Sequence, residues 1–168
     1  MTQPQMIEER LVRAAQRGDT VAMNELLDGL TPYVGKICGP IALGDGPDAA
    51  QEALIAIFRG LHGLENPAAL FGWARAIAVR EAVRVARRGQ RQQPAELAEL
   101  PAADDPQLLV DVQDVLRRLS PEHRAVLVLR DLEGLDEQAA AAVLDVPPGT
   151  AKSRLHRARA SFRKAWRS

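Results

Sequence analysis

The stretch from Leu135 to Arg167, LDEQAAAAVLDVPPGTAKSRLHRARASFRKAWR, constrains the fold of this chain more than any other. Ala151, Leu155, Ala158 and Phe162 recur at spacings of four, three and four, which places them along one side of a helix, and Trp166 extends that seam. Lys152, Ser153, His156, Arg157 and Arg163 are left to the other faces. From Val146 to Ser168 there are seven Lys and Arg residues and no Asp or Glu. A shorter helix capped by Asp136 precedes the Pro147-Pro148-Gly149 turn, and Thr150 is the expected cap of the second helix. Two helices around a tight turn, the second apolar on one side and cationic on the other, have the form of a DNA major-groove reader. A merely solvated surface helix is the plainer alternative. The reader is favoured because a helix N-terminus can meet a phosphate while its first two turns reach base edges.

Helical periodicity extends upstream. After a frayed start over residues 1–5, Ile7, Leu11, Ala14 and Ala15 predict a helix from Ile7 to Arg17. Gly18-Asp19 divides it from a second, with Val21, Ala22, Leu26, Leu27 and Leu30 on its apolar side. Thr31-Pro32 predicts the start of a separate helix over Tyr33 to Cys38. A loop at Gly44 to Pro47 leads to a helix beginning at Asp48, with Ala50, Leu54, Ile57, Phe58 and Leu61 as its buried stripe. A loop from Glu65 to Leu70 comes next. A long helix from Phe71 to about Arg88 then has Trp73, Ile77 and Val85 as anchors and Arg75, Arg80, Arg84, Arg87 and Arg88 on its other faces. Beyond a linker with Pro94, Pro101 and Pro106, the residues Leu108, Leu109, Val112, Val115, Leu116 and Leu119 mark another helix. Ser120-Pro121 opens the next, and Gly134 suits its end. The expected class is all-α, in two small lobes.

A net charge of zero conceals strong segregation. Arg75 to Arg91 holds six Arg and one Glu, and Ala95 to Asp114 holds six acids and no base. Two cationic blocks separated by an anionic one suggest two nucleic-acid contacts held apart. Like charges crowded on one short helix repel unless an anion is near, and a phosphate backbone is a natural partner. Asp48, Gln51 and Glu52 form a polar group at the head of an otherwise apolar helix. They read either as exposed first-turn residues or as a docking face for a basic helix of a partner.

Other chemistries find no support. Cys38 is the single cysteine, which excludes an internal disulfide and a cysteine-based zinc site, and His62, His123 and His156 have no metal spacing. No phosphate loop, dinucleotide fingerprint or catalytic triad order occurs, so neither cofactor, metal nor enzymatic activity is expected. The absence of a signal peptide and of a long apolar run points to a cytoplasmic protein without membrane insertion.

In order, DAAQEALIAIFRGL, LFGWARAIAVREAVRVARR, LSPEHRAVLVLRDLEGL and VLDVPPGTAKSRLHRARA resemble the bacterial extracytoplasmic-function sigma factors, the two-domain promoter-recognition subunits of RNA polymerase. The resemblance implies a sigma-2-like helical bundle over residues 7–90, a flexible acidic linker over 91–107 and a sigma-4-like helix–turn–helix domain over 108–168. It implies −35 element contacts by Thr150, Lys152, Ser153, His156 and Arg157. It also implies −10 element recognition and melting by Leu64, Glu65, Asn66, Arg75, Arg80 and Arg84, with a flipped base held by the loop Leu64 to Leu70. Asp48, Gln51 and Glu52 fall at the positions that meet the β′ clamp helices of core polymerase. The implied partners further include the β flap and an anti-sigma factor. The chain departs from the family at Arg80, often an asparagine, and at Asp136 to Ala139, where the reciprocal capping box is lost. VPPG also adds a proline to the turn. A free-standing helix–turn–helix regulator is the alternative reading.

Overall fold

Burial overrules local propensity at several points along this chain. The computed structural model describes residues 7–92 and 106–168, and not the side chains of 91–92 and 106–110. The expected frayed start and most of the acidic linker, with Glu96, Glu99, Asp104 and Asp105, lie outside the described residues. Among those residues every regular element is helical.

Helix α1 spans Glu9–Gln16 and α2 spans Thr20–Ala42. Between them Gly18 takes φ 92°, a conformation closed to most side chains, and Asp19 caps α2 by accepting from the N–H groups of Val21 and Ala22. The predicted separate helix at Tyr33 does not exist, because α2 runs straight through Pro32 and Pro40. An interior proline costs about 3 kcal/mol. Leu26, Leu30, Val34, Ile37 and Ile41 are each at most 1% exposed, and burying one such side chain contributes roughly 1.5–3 kcal/mol. Breaking the helix would forfeit that stripe, so the prolines are tolerated.

A 3-10 turn over Leu43–Asp45 leads into α3, Gly46–Gly60, which starts two residues before the expected Asp48. Helices α2 and α3 approach glycine to glycine: a Cβ built on Gly46 would lie 3.3 Å from the Cα of Gly39. Close approach shifts the buried stripe of α3 to Ala49, Ala53 and Ile57, while Phe58, expected inside, is 52% exposed and Ile55 lies outside with it. Two further 3-10 turns, Leu61–Gly63 and Pro67–Ala69, precede α4, Leu70–Gln92. The α4 core face is likewise built on Ala74, Ala78 and Ala82 with Val79 and Val85, whereas Trp73 and Ile77 are half-buried at its edge.

The second half comprises α5, Pro106–Arg117, and α6, Pro121–Leu127, the latter prolonged by a π-helical turn over Val128–Leu132. Helices α7, Glu137–Leu144, and α8, Pro148–Arg167, follow. Ser120 caps α6 as expected, its Oγ accepting from the N–H of His123 at 3.2 Å. Helices α1 to α4 pack around one core, and α6 and α7 close its open side against α2 and α4. The buried cluster therefore continues from Ile41, Val79 and Ala82 into Ala125, Val128, Leu129, Ala140 and Val143 of the second half. Arg124, only 3% exposed, is buried at this junction.

Candidate nucleic-acid interface

The reader is assembled by short-range chemistry. Asp136 Oδ1 accepts from the N–H of Ala139 at 2.8 Å, so α7 is capped without the reciprocal box. Asp145 adopts the left-handed conformation at φ 54°, and the Val146 N–H returns to the Ala141 carbonyl at 3.0 Å, a Schellman-type closure that turns the chain. Pro147, rather than Thr150, is the N-cap of α8. Thr150 sits in the first turn, its N–H bonded to the Pro147 carbonyl at 3.0 Å, because the consecutive prolines already hold the φ values that a helix start requires.

Ala151, Leu155 and Ala158 are buried as the seam predicts, the last two against Val126, and Phe162 and Trp166 stack with ring centroids 6.2 Å apart. Lys152, Ser153, His156 and Arg157 are all exposed on one side of α8, and Thr150 is half-buried above them. Ser153 Oγ donates to the Thr150 carbonyl at 3.1 Å, and Arg157 Nη2 donates to Ser153 Oγ at 3.3 Å, which draws the guanidinium toward the helix N-terminus. Among the described residues Lys152 and Arg157 meet no carboxylate, whereas Arg159 is held by Asp131 at 3.2 Å. His123, which the sequence did not single out, lies near this helix. Burial, then the charges of Arg154 and Arg157, keep its imidazole below the ordinary value of 6.5.

In the first half, Leu64 is buried, so of the three loop residues only Glu65 and Asn66 present side chains at the surface. Asn66 Oδ1 caps the following 3-10 turn by accepting from the Ala68 N–H at 3.1 Å. The loop is tied from beneath by Gln16, whose Nε2 donates to the carbonyls of Leu61 at 2.9 Å and Leu64 at 2.7 Å. A lone glutamine at the end of α1 carries no sequence signal for this role.

The arginines of α4 from Arg75 to Arg88 are engaged by protein groups. Arg75 lies 3.9 Å from Glu133, which also accepts from the Tyr33 hydroxyl. Arg80 Nε donates to the Val143 carbonyl at 3.2 Å. Arg84 bonds Glu81 at 3.0 Å and pairs with Glu52, Arg88 reaches Glu52 at 3.2 Å, and Arg87 pairs with Glu122. The anions that relieve this crowded cationic helix are thus carboxylates, Glu81 on the helix itself and Glu52, Glu122 and Glu133 distant in sequence. Burial, reinforced by Glu133, pushes the Tyr33 phenol up to about 12, so its proton stays on the hydrogen bond. Asp48 and Gln51 are exposed, while Glu52 is half-buried; hydrogen bonds from Arg84 and then Arg88 hold its carboxyl below the usual range. Among the described residues no group of acids, histidines and cysteine could hold a metal ion, and no helix is long and apolar enough to cross a membrane.

Residues 109–162 match the family model for sigma-70, region 4. The ECF RNA polymerase sigma-E factor of Haemophilus influenzae is 30% identical over 92% of this chain and 93% of its own length. The ECF RNA polymerase sigma-E factor of Escherichia coli K12 is 29% identical, with 92% of each chain covered. The fold is shared with the sigma factor RpoE solved with the anti-sigma factor NepR from Bartonella quintana, at a TM-score of 0.68 and 22% identity, covering 86% of this chain and 96% of that one. It is shared too with CnrH solved with the cytosolic domain of CnrY, at a TM-score of 0.64 and 22% identity, covering 92% and 94%.

Proposed function

We propose that this chain, which belongs to the extracytoplasmic-function (ECF) sigma factors of RNA polymerase, binds core polymerase and directs promoter-specific initiation as an alternative sigma factor, without catalysing a reaction itself. The observation that carries the reading is α8: a helix of 20 residues without an acid, seated on α6 and α7 by its apolar seam and open on the side of Lys152, Ser153, His156 and Arg157. These four residues, with Thr150 at the helix start, read the −35 element in the major groove.

The loop from Leu64 to Leu70 takes the −10 element, with Glu65 and Asn66 at the flipped base, Leu64 as the buried anchor of the loop, and Arg75, Arg80 and Arg84 along the strand. Extruding a base costs a few kcal/mol, so a loop held in shape is the physical requirement. The bonds of Gln16 beneath it and of Asn66 within it support that assignment. Asp48, Gln51 and Glu52, beside the exposed Ile55 and Phe58, form the polymerase-docking surface toward the β′ clamp helices, and the second half meets the β flap. Residues 7–90 and 108–168 are then the two functional units and 91–107 their linker. A solved relative of like fold is held by an anti-sigma factor, and we assign this chain a protein antagonist of the same kind. A partner of core polymerase works in the cytoplasm.

The test is transcription in vitro with purified core polymerase on a library of upstream fragments. Transcripts that appear only when this chain is added are expected. No transcripts, with tight duplex binding by the chain alone, would instead identify a free-standing regulator, and binding to neither would leave a protein-interaction bundle.

A further inference from the structure

Gln16 bonds the carbonyls of Leu61 and Leu64, which fixes the end of α1 beside the 3-10 turn Leu61–Gly63 that carries His62. Helix α1 also packs against the Pro67–Ala69 turn, within the loop from Leu64 to Leu70. Arg10, Arg13 and Arg17 recur at spacings of three and four, which aligns them on one face of α1. All three are exposed and line one open groove, and His62 is exposed too. The arginines of α4 from Arg75 to Arg88 each hold a protein group. Among the described residues the side chains of Arg10, Arg17 and His62 hold none. Arg13 meets Glu9 at 3.8 Å in a pair open to solvent, which holds it weakly. Arg17 is the C-cap of α1, where the helix dipole favours a cation but occupies no donor of the guanidinium.

We propose that Arg13 and Arg17 of α1, with His62 beside them, form a phosphate-binding rim for the opened strand where it adjoins the flipped-base loop. Arg10 extends the rim by one helical turn. This rests on the assignment of the loop from Leu64 to Leu70 to the −10 element under the proposed function. A flipped base enters its loop with the backbone left outside, so the adjoining phosphates need donors on the surface around that loop. The rim supplies guanidinium forks for which, apart from Glu9 at Arg13, no carboxylate competes among the described residues. Successive arginines stand about 5 Å apart along the axis at a rise of about 1.5 Å per residue, a spacing that a sugar–phosphate chain can follow. The carboxylate of Glu65, exposed on the loop, is left to the base, from whose amine it can accept. Gln16, by tying the turn to α1, sets the distance between the two parts of the rim.

The probe is fluorescein-labelled dT20, a single strand that reports backbone and stacking contacts without sequence, titrated with the full chain at low salt. Arg17→Gln is compared with Lys36→Gln, which removes the same charge at an exposed position of α2, and His62→Gln with the unaltered chain. Arg17→Gln is expected to bind dT20 about fivefold more weakly than Lys36→Gln, and His62→Gln about threefold more weakly than the unaltered chain. The slope of log affinity against log salt should be smaller by about 0.7 for Arg17→Gln, the share of one phosphate contact on a single strand. Helix content by circular dichroism should be the same in every protein, since the altered side chains are exposed. The rim is overturned if Arg17→Gln matches Lys36→Gln in affinity or in slope, or if His62→Gln binds as the unaltered chain does. Failure of the unaltered chain to bind dT20 overturns it as well. Transcription with core polymerase is run in parallel on the unaltered chain. Promoter-dependent transcripts without these losses leave the sigma-factor reading standing and remove the rim. The losses without transcripts keep the single-strand site and remove that reading.

Discussion

The Nε–H of Arg124 donates to the carbonyl of Ile41 at 2.8 Å, across the junction of the two halves. Its Nη1 turns to the carbonyls of Leu116 at 3.1 Å and Leu119. One guanidinium thus serves the C-terminal end of α2 and the exit from α5, where the helix dipole is negative and backbone donors run out. Of the three carbonyls, Leu116 alone also accepts a backbone turn bond, from the Leu119 N–H. Burial lowers its pKa to about 10, which leaves it charged at neutral pH. Removing it strands buried carbonyls. Arg124→Met is expected to lower the free energy of unfolding by about 2–4 kcal/mol, and Arg124→Lys to recover only part, since an ammonium cannot span the fork. Urea denaturation measures both, and a loss under about 0.5 kcal/mol for the methionine variant would refute this role.

Gln16→Leu removes both bonds beneath the Leu61–Leu64 carbonyls while keeping a side chain of similar bulk. Each such bond is worth about 1 kcal/mol. Promoter opening, read as permanganate reactivity of the melted strand, should fall roughly tenfold with duplex affinity unchanged. Gln16→Glu should not rescue it, because a carboxylate donates nothing to a carbonyl. Full opening by the leucine variant would show that the loop needs no such support.

Arg157→Ala should weaken duplex binding at the −35 element by about 1–3 kcal/mol if the guanidinium meets a base, and flatten selectivity at that position. Stability should hardly change, since among the described residues Arg157 bonds only along its own helix, to Ser153. Gel-shift titration against a panel of substituted elements checks this. Unchanged affinity and selectivity would remove Arg157 from the reader.

His123 supplies a pH dependence. Its pKa is depressed in the folded chain, first by burial and then by Arg154 and Arg157, so below 6.5 the unfolded chain binds the extra proton more readily. The associated stability is full above 6.5 and is lost as pH falls through the lowered folded value. Thermal melts from pH 7.5 to 5 should show this decline, and His123→Gln should reduce it. An identical slope in the variant would place the titration elsewhere.

Wherever one helix or one turn carries the whole signal, the sequence was legible. The seam Ala151, Leu155, Ala158 is set by the helical repeat, and the caps at Asp136 and Ser120 are bonds over three residues, closed by local geometry. The exposed row Lys152, Ser153, His156, Arg157 follows from the same repeat. The early break at Pro32 was misread, since local rules price the missing N–H but not the five aliphatic side chains that a broken α2 would expose. Phe58 differs for a related reason: hydrophobicity marks it for burial, but α3 turns Ala49, Ala53 and Ile57 to the core, and Phe58, one residue beyond Ile57, falls on the outer side.

By itself, then, the sequence determined most of the helices, the caps at Asp136 and Ser120 and the cationic reader, because those depend on neighbours within one or two turns. Apart from the Glu81–Arg84 pair within one turn, tertiary structure decided what the arginines of α4 from Arg75 to Arg88 hold. Their charge is local, but Glu52, Glu122 and Glu133 reach them only when α3, α6 and the end of the π-helical turn are packed against α4. A cationic helix read from sequence calls for an anion. Which anion answers, a carboxylate of the same chain or a phosphate of another molecule, is settled by long-range packing, since the two compete for the same donors and the nearer one occupies them first.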